Sequence, residues 1–352
     1  VAIPEPVRGA SITDLVTRLL DRGYTQTVSP VLDAVTRSVS TGRIRRRLVE
    51  LETEAARLAD AGERLSANNP VLRAFLADLD DTLRADARLI DTAAEPLQAS
   101  AVQAAGQIQR QLALPGFSDG QLRAIGVIWN QPDPEMVARL VQYAGSPAWE
   151  TALEKFGPDV VAVVRNQAIR GAALGWGPIH SASEIARLAT TFPRYQANNL
   201  MRTLQLTSYR DSTAAHQTAN RAITSQVIRI AARDTRTCLS CIDQHGQVIW
   251  DAERDANSPV PRVDDHHSGR CGSFIVVTGR VVTLQPGAEW FASLSPERQQ
   301  QQESFKKSPG KFAAYQSGRL GLHDFVQPYQ DPTFGPMLRE ASLKGALSRE
   351  PD

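Results

Sequence analysis

All three cysteines of this 352-residue chain fall in one stretch, two as Cys238-Leu239-Ser240-Cys241 and the third as Cys271. Cys271 follows His266-His267-Ser268-Gly269-Arg270, so the order reads C-x2-C, an interval of 24 residues, then H-x4-C. Two donor pairs this far apart can meet at one ion only if two loops are brought together. Zinc suits the set, because a closed-shell ion accepts thiolate and neutral imidazole donors without imposing a geometry of its own. The spacing therefore reads first as a structural metal clip with Cys238, Cys241, His266 and Cys271 as ligands.

Other readings stay open at this point. A Cys238–Cys241 disulfide needs an oxidising compartment, and Val1-Ala2-Ile3-Pro4 does not start the charged, apolar, small-residue order of a signal peptide. Val1 in place of an initiator Met reads as processing or trimming of a few residues. A thioredoxin-like redox pair belongs at the start of a helix in a βαβ pattern, whereas the polar neighbours and Gly246 here read as a turn. A nucleophilic cysteine needs a histidine partner that spacing does not single out, and the three cysteines could also be unliganded core residues.

Composition sets further bounds. Lys plus Arg number 39 against 38 Asp plus Glu, a formal charge of +1, so no global field draws the chain to nucleic acid or an anionic membrane. Arg45-Arg46-Arg47 reads as the wet face of a helix, and no apolar run approaches a membrane span. Richness in Ala, Leu, Arg and Gln with 6% aromatics favours helices.

Ile44, Leu48, Leu51, Ala55, Leu58 and Leu65 recur at helical steps, with Gly62 at the one small position, and Leu72, Leu76, Leu79, Leu83, Ala87 and Ile90 form a second stripe. Asn69 is placed to cap the second helix and Pro70 to open it, so the pair predicts a long N-terminal antiparallel hairpin. The narrow seam has to lean on the rest of the chain or on a partner. A third helix is predicted from about Leu97 to Leu114, ending at Pro115-Gly116.

Helical patterning continues to Asn220, broken at Asn130-Gln131-Pro132-Asp133-Pro134 and Gly175-Trp176-Gly177-Pro178. Ser181-Ala182-Ser183-Glu184 reads as a capping box for a helix to Thr191, and Phe192-Pro193 separates it from a longer helix, about Tyr195 to Ile223. His216 on that helix reads as a surface or satisfied residue. Val227–Ile230, Val248–Trp250 and Phe274–Val277 are β-branched or apolar runs that predict strands, the last with Val281-Val282 forming a hairpin around Thr278-Gly279. Asp251 to Asp265, polar with Pro259 and Pro261, reads as an exposed loop.

The fold expected is thus mainly α with a small α+β, metal-stapled domain. Its parts in chain order are a helical hairpin or arm over 1–114, a helical segment over 115–224, a β-rich clip subdomain over 225–285 and a helical tail over 286–352.

The run from Ile230 through Asp234-Thr235-Arg236-Thr237-Cys238-Leu239-Ser240-Cys241, then Gly246, Val248 and His266 to Cys271, resembles the head morphogenesis domain of phage minor head proteins typified by the F protein of phage Mu. That family carries D-x-x-T-C-x-x-C, a glycine, and H-P-N-C-R-C. His266, Arg270 and Cys271 fall on its His, Arg and last Cys, while Gly269 stands where the family has another Cys and His267 where it has Pro. The departure leaves Cys238, Cys241, His266 and Cys271 as the natural ligand set, with weakening of the site or substitution by His267 as the alternatives. Gly287-Ala288-Glu289-Trp290-Phe291, Gln299 to Gln302, Ala314-Tyr315, Gly318-Arg319, Leu322 and Asp324-Phe325-Val326 resemble the tail that follows the domain in such proteins, a Trp anchor and two helices. Together the matches span about Gly175 to Val326.

The resemblance implies a structural protein of the virion, assembled in the host cytoplasm and located in the phage head near the portal vertex. Its implied partners are the portal protein and the major capsid or scaffolding protein, with weak contact to packaged DNA and none to a membrane; its implied cofactor is structural Zn2+. Two competitors are weighed beside it. A metal-dependent hydrolase or toxin would use Asp264-Asp265-His266-His267, but the chain has no H-E-x-x-H, G-x-S-x-G or phosphate-loop motif, and four protein ligands close the ion to substrate. A zinc-ribbon nucleic-acid binder would present a basic face, yet Arg229, Arg233, Arg236, Arg254, Arg262, Arg270 and Arg280 are matched by Asp234, Asp243, Asp251, Glu253, Asp255, Asp264 and Asp265. Steeply salt-dependent binding to plain duplex would favour that competitor.

Overall fold

The computed structural model describes residues 9–114, 128–279, 282 and 284–348. Its first two thirds are helical: α1 (Gly9–Ser40), α2 (Gly42–Asp60), α3 (Pro70–Ala113), α4 (Pro134–Leu140), α5 (Pro147–Ala173) and α6 (Pro178–Ala219). Contacts divide the chain into two compact units, neither continuous in sequence. One comprises Gly23–Leu97 and Tyr143–Leu204; the other comprises Val1–Arg22, Gln98–Gln142 and Gln205–Asp352. The four parts expected in chain order follow patterning alone, whereas α1, α3 and α6 each contribute residues to both units.

The first of these units is a helix bundle. Asn69 Oδ1 accepts the N–H groups of Val71 and Leu72 at 2.9 and 3.2 Å, so α3 starts at Pro70 with the predicted cap. Arg47 Nε donates to Asp78 Oδ2 at 2.6 Å, and Asn69 Nδ2 to Glu54 at 3.0 Å, the pairing of an antiparallel hairpin. The apolar residues of both predicted stripes are buried, but α2 ends at Asp60, so Gly62 is exposed in the turn at φ 67° and Leu65 lies beyond the helix. The seam is covered within the chain: Ser38 of α1 donates to Asp86 at 2.5 Å, Trp149 of α5 donates to Asp91 at 2.9 Å, and Arg194 of α6 donates to Asp33 of α1 at 3.0 Å.

Two predicted helix breaks are absent. α3 runs through Pro96, so the second and third expected helices are one, and α6 runs through Pro193. A proline removes one backbone bond and crowds the preceding turn. Along α6, however, Ala182, Ile185, Ala189, Pro193, Ala197, Met201 and Leu204 form one buried stripe at steps of three and four, and packing on both sides of the proline holds the register. Ser181 consequently lies inside α6, its N–H bonded to Gly177 O at 3.0 Å, and no capping box forms there.

In the other unit an antiparallel sheet receives the parts of α3 and α6 that belong to it. Strands β1 (Thr224–Ile230), β2 (Val248–Asp251) and β3 (Gly272–Val277) form an antiparallel sheet in the order β2-β1-β3. Period-two alternation sends Ile228, Ile230, Phe274 and Val276 toward Ala105, Ile108 and Tyr209, while Val227, Trp250 and Ile275 pack with Val260 on the opposite face. Val281, half of the expected hairpin, and Pro115-Gly116 lie outside the described residues. The predicted exposed loop begins with a short helix, α7 (Ala252–Asp255), and then buries Val260, Val263 and Asp265. His216 is likewise buried, fitted against Gly106 of α3, with no partner for Nδ1 among the described residues; it is neither a surface nor a satisfied residue.

The tail holds helices α8 (Gly287–Ala292), α9 (Pro296–Gln300), α10 (Glu303–Lys307) and α11 (Pro309–Gln316). A hairpin of β4 (Val326–Asp331) and β5 (Gly335–Glu340), which patterning did not announce, follows them. Its buried anchors are Phe291, Phe305 and Phe325; the expected anchor Trp290 is only partly buried, with the Arg233 guanidinium over its ring at 5.7 Å. Among the described residues no helix is long and apolar enough to cross a membrane. Replacing Asn69 by Ala should destabilise the protein by about 1 kcal/mol, read as a lower urea midpoint, because two helix-start N–H groups lose their acceptor.

Candidate metal centre

The three-stranded sheet brings two loops to one end. Cys238 leaves the segment after β1 and caps the one-turn helix Leu239–Asp243, its Sγ accepting from Cys241 N at 3.4 Å. C-x-x-C thus opens a short helix and not a plain turn, yet the antiparallel sheet supplies no βαβ context for a redox pair. His266 and Cys271 arrive on the loop before β3, where Gly269 N bonds His266 O at 2.9 Å and Ser268 takes φ 55°. A left-handed residue here folds the loop back tightly.

The four predicted ligands line one cavity, and their donor atoms fall into two overlapping groups. Cys238 Sγ lies 3.2 Å from His266 Nε2, and the donor atoms of Cys238, Cys241 and His266 all lie within 4.8 Å of one another. Cys241, Cys271 and Asp265 form a second group on the same criterion, sharing Cys241 with the first. A cavity at this point is lined by Cys238, Cys241, His266 and Cys271 together with Gly269 and Arg270. The cluster is compatible with a metal site. His267 is no substitute ligand: its Nε2 meets Asp331 Oδ2 at 2.8 Å, and its ring stands edge-on to Phe334.

Fixed charges surround the donors. The Asp265 side chain is 0% exposed and the Arg210 side chain 3%, and they pair at 2.9 Å. Burial opposes ionisation of Asp265, but Arg210, His266 and Arg229 outweigh it and hold the carboxyl well below the usual range. Arg229, on β1, is buried beside Cys271, Asp265 and Cys241, and its Nε and Nη2 have no acceptor among the described residues. Burial disfavours the His266 imidazolium, yet Asp265 and Cys241 raise its pKa to about 10 in the metal-free protein. The hydrogen bond with Cys238 leads the causes that push the Cys241 thiol up to about 12.

The loops are also latched from outside. Arg270 donates to both oxygens of Asp234 at 2.7 Å, joining the start of one loop to the end of the other. Glu340 on β5 accepts from Leu239 N at 2.9 Å and from Ser304 at 2.5 Å, and also pairs with Lys311. Gln302 donates to Asp234 O at 3.0 Å and to Thr237 O. Gly287 is required where it stands, because a Cβ there would collide with Ile242 O of the cysteine helix. Sequence reasoning named the four candidate donors, and Asp265 only as part of the Asp264-Asp265-His266-His267 cluster, but assigned no site role to Arg210, Arg229 or Glu340; each belongs to a different segment, and no local pattern links them.

No family model, curated protein or solved structure matches the chain. Beside the centre, His245 accepts from Ala231 N at 3.0 Å through Nδ1, and burial lowers its pKa to about 4, as burial does for His216. Folded, both stay neutral at pH values where the unfolded chain protonates them. Stability is therefore fully present above about pH 6.5 and is lost as pH falls toward the folded values. Urea midpoints measured between about pH 7 and pH 5 should fall, and replacing His216 by Gln should remove about half of that histidine contribution.

Proposed function

We propose that this chain is a structural protein of a tailed-phage head, a minor capsid component at the portal vertex, in which zinc clips two loops through Cys238, Cys241, His266 and Cys271. The observation that carries the clip is the buried Arg229 guanidinium, with two nitrogens lacking acceptors beside two of the thiols. With all thiols protonated, the cations of Arg210, Arg229 and His266 face only the Asp265 carboxylate, leaving two positive charges in excess. Three thiolates, a neutral His266 imidazole and a divalent ion restore neutrality around the same residues, and sulfur lone pairs then accept from Arg229. Three thiolates and an imidazole also match the tetrahedral preference of zinc and leave no open position for water, so the role is to hold the fold and not to catalyse.

When bound, zinc supplies cross-linking and neutralises thiolate charge. The chain's own residues do the rest: Asp234 and Arg270 close the loop ends, and Glu340 and Gln302 bind the cysteine turn to the tail. The phage reading rests on the motif resemblance, and two local features support it. The Asp of D-x-x-T and the Arg of the second motif form the bidentate Asp234–Arg270 pair, and the residue with positive φ, Ser268, stands where the motif has Asn, a side chain that tolerates that conformation.

Purified protein should contain about one zinc per chain, and Cys241→Ser should lower stability by several kcal/mol, because metal affinity adds directly to folding free energy. A ratio near zero with unchanged melting on adding chelator would count against the clip. Co-expressed with a portal protein from its own gene neighbourhood, the chain should co-purify at fixed stoichiometry; separate elution of the two would remove the portal assignment and leave the clip untouched.

A further inference from the structure

We infer that Asp265 is the positioning residue that fixes which four side chains hold the metal, an inference that rests on the clip reading above. Two overlapping groups of donors meet at Cys241, one with Cys238 and His266 and the other with Cys271 and Asp265, so an ion bound there has five side chains to choose among. A tetrahedral site takes four. The Asp265 side chain is 0% exposed, and most of its lone pairs are already used. Oδ1 accepts from His266 N at 2.8 Å and lies 3.1 Å from Cys241 Sγ. Oδ2 accepts from Arg210 Nη2 at 2.9 Å and from Cys271 N at 3.0 Å. A carboxylate oxygen offers two lone-pair directions, so Oδ2 has none left for an ion, and Oδ1 keeps at most the one facing the Cys241 sulfur, which the thiol fills only while it holds its proton.

These same bonds orient the ligands. Asp265 holds the backbone of two of them, His266 and Cys271, and touches the sulfur of a third. Arg210 keeps the carboxylate turned inward and clamps the loop, donating to Gly269 O and, at 3.1 Å, to Cys271 O. Gly269 completes the arrangement: a Cβ there would fall within the carboxylate, so any side chain at 269 displaces Asp265. The carboxylate therefore serves as a backbone acceptor behind the ligands, the role in which outer partners of a metal site set ligand orientation and affinity.

The test uses the full-length chain loaded with Co2+ as a spectroscopic stand-in for zinc. A wild-type chain that takes up no metal overturns the clip itself. If it does load, X-ray absorption of the zinc-bound wild type should show sulfur and nitrogen neighbours alone, and an oxygen neighbour would overturn the role given to Asp265. Asp265→Asn should leave the Co2+ ligand-field and sulfur charge-transfer bands in place while weakening binding about 10- to 100-fold. Shifted bands, or unchanged affinity, would overturn it. Gly269→Ala should weaken Co2+ binding in the wild-type background and cost nothing further in an Asp265→Gly background; additive losses would refute the shared space. Should Asp265→Asn fail to fold, the wild-type absorption spectrum still decides whether the carboxylate is a ligand.

Discussion

A carboxylate entirely removed from water is the constraint on which this unit turns. Ionised Asp265 survives in the interior only because Arg210 and backbone N–H groups surround it, and both members of that pair come from distant parts of the chain. Pairs of this kind add little net stability compared with an apolar replacement, but removing one partner strands the other charge, at a cost of about 3–5 kcal/mol. What the pair does is tie α6 to the loop before β3, the loop that carries His266 and Cys271. The tail adds a second layer, since Glu340 and Gln302 reach the cysteine turn from elements absent from the sheet itself.

The legibility of the molecule in its sequence follows the range of the interactions. Stripes at helical spacing announced α2 and the start of α3, and the Asn69-Pro70 cap lies where local chemistry puts it. The strands around Val227, Trp250 and Phe274 were readable from β-branched runs, and the four donors from their spacing. Prolines 96 and 193 misled because their local cost is outweighed by packing along the whole length of a helix, which no short window contains. The β4–β5 hairpin has a proline in each strand, which hides it from a propensity reading.

The partners of the donors were invisible for a different reason. Arg210 sits in a helix, Arg229 in a strand and Asp265 in a polar loop, and each looks like an ordinary solvated charge until the fold juxtaposes them. The balanced charge list around the cysteines, read as arguing against a basic face, includes two interior groups, Arg229 and Asp265. Composition cannot separate a screened surface pair from a buried one, yet their energetic consequences differ severalfold.

The discontinuous make-up of the two units bears on how the chain is made. Gln205 donates its side-chain N–H to Leu20 O across 185 residues, so the opening helix has no complete set of neighbours until well over half the polypeptide exists. At ribosomal speeds of about 5–20 residues per second that delay is roughly ten to forty seconds, long enough for a chaperone to engage the waiting segment. The sheet end that gathers the thiols forms later still, because Cys271 and β3 lie beyond residue 270.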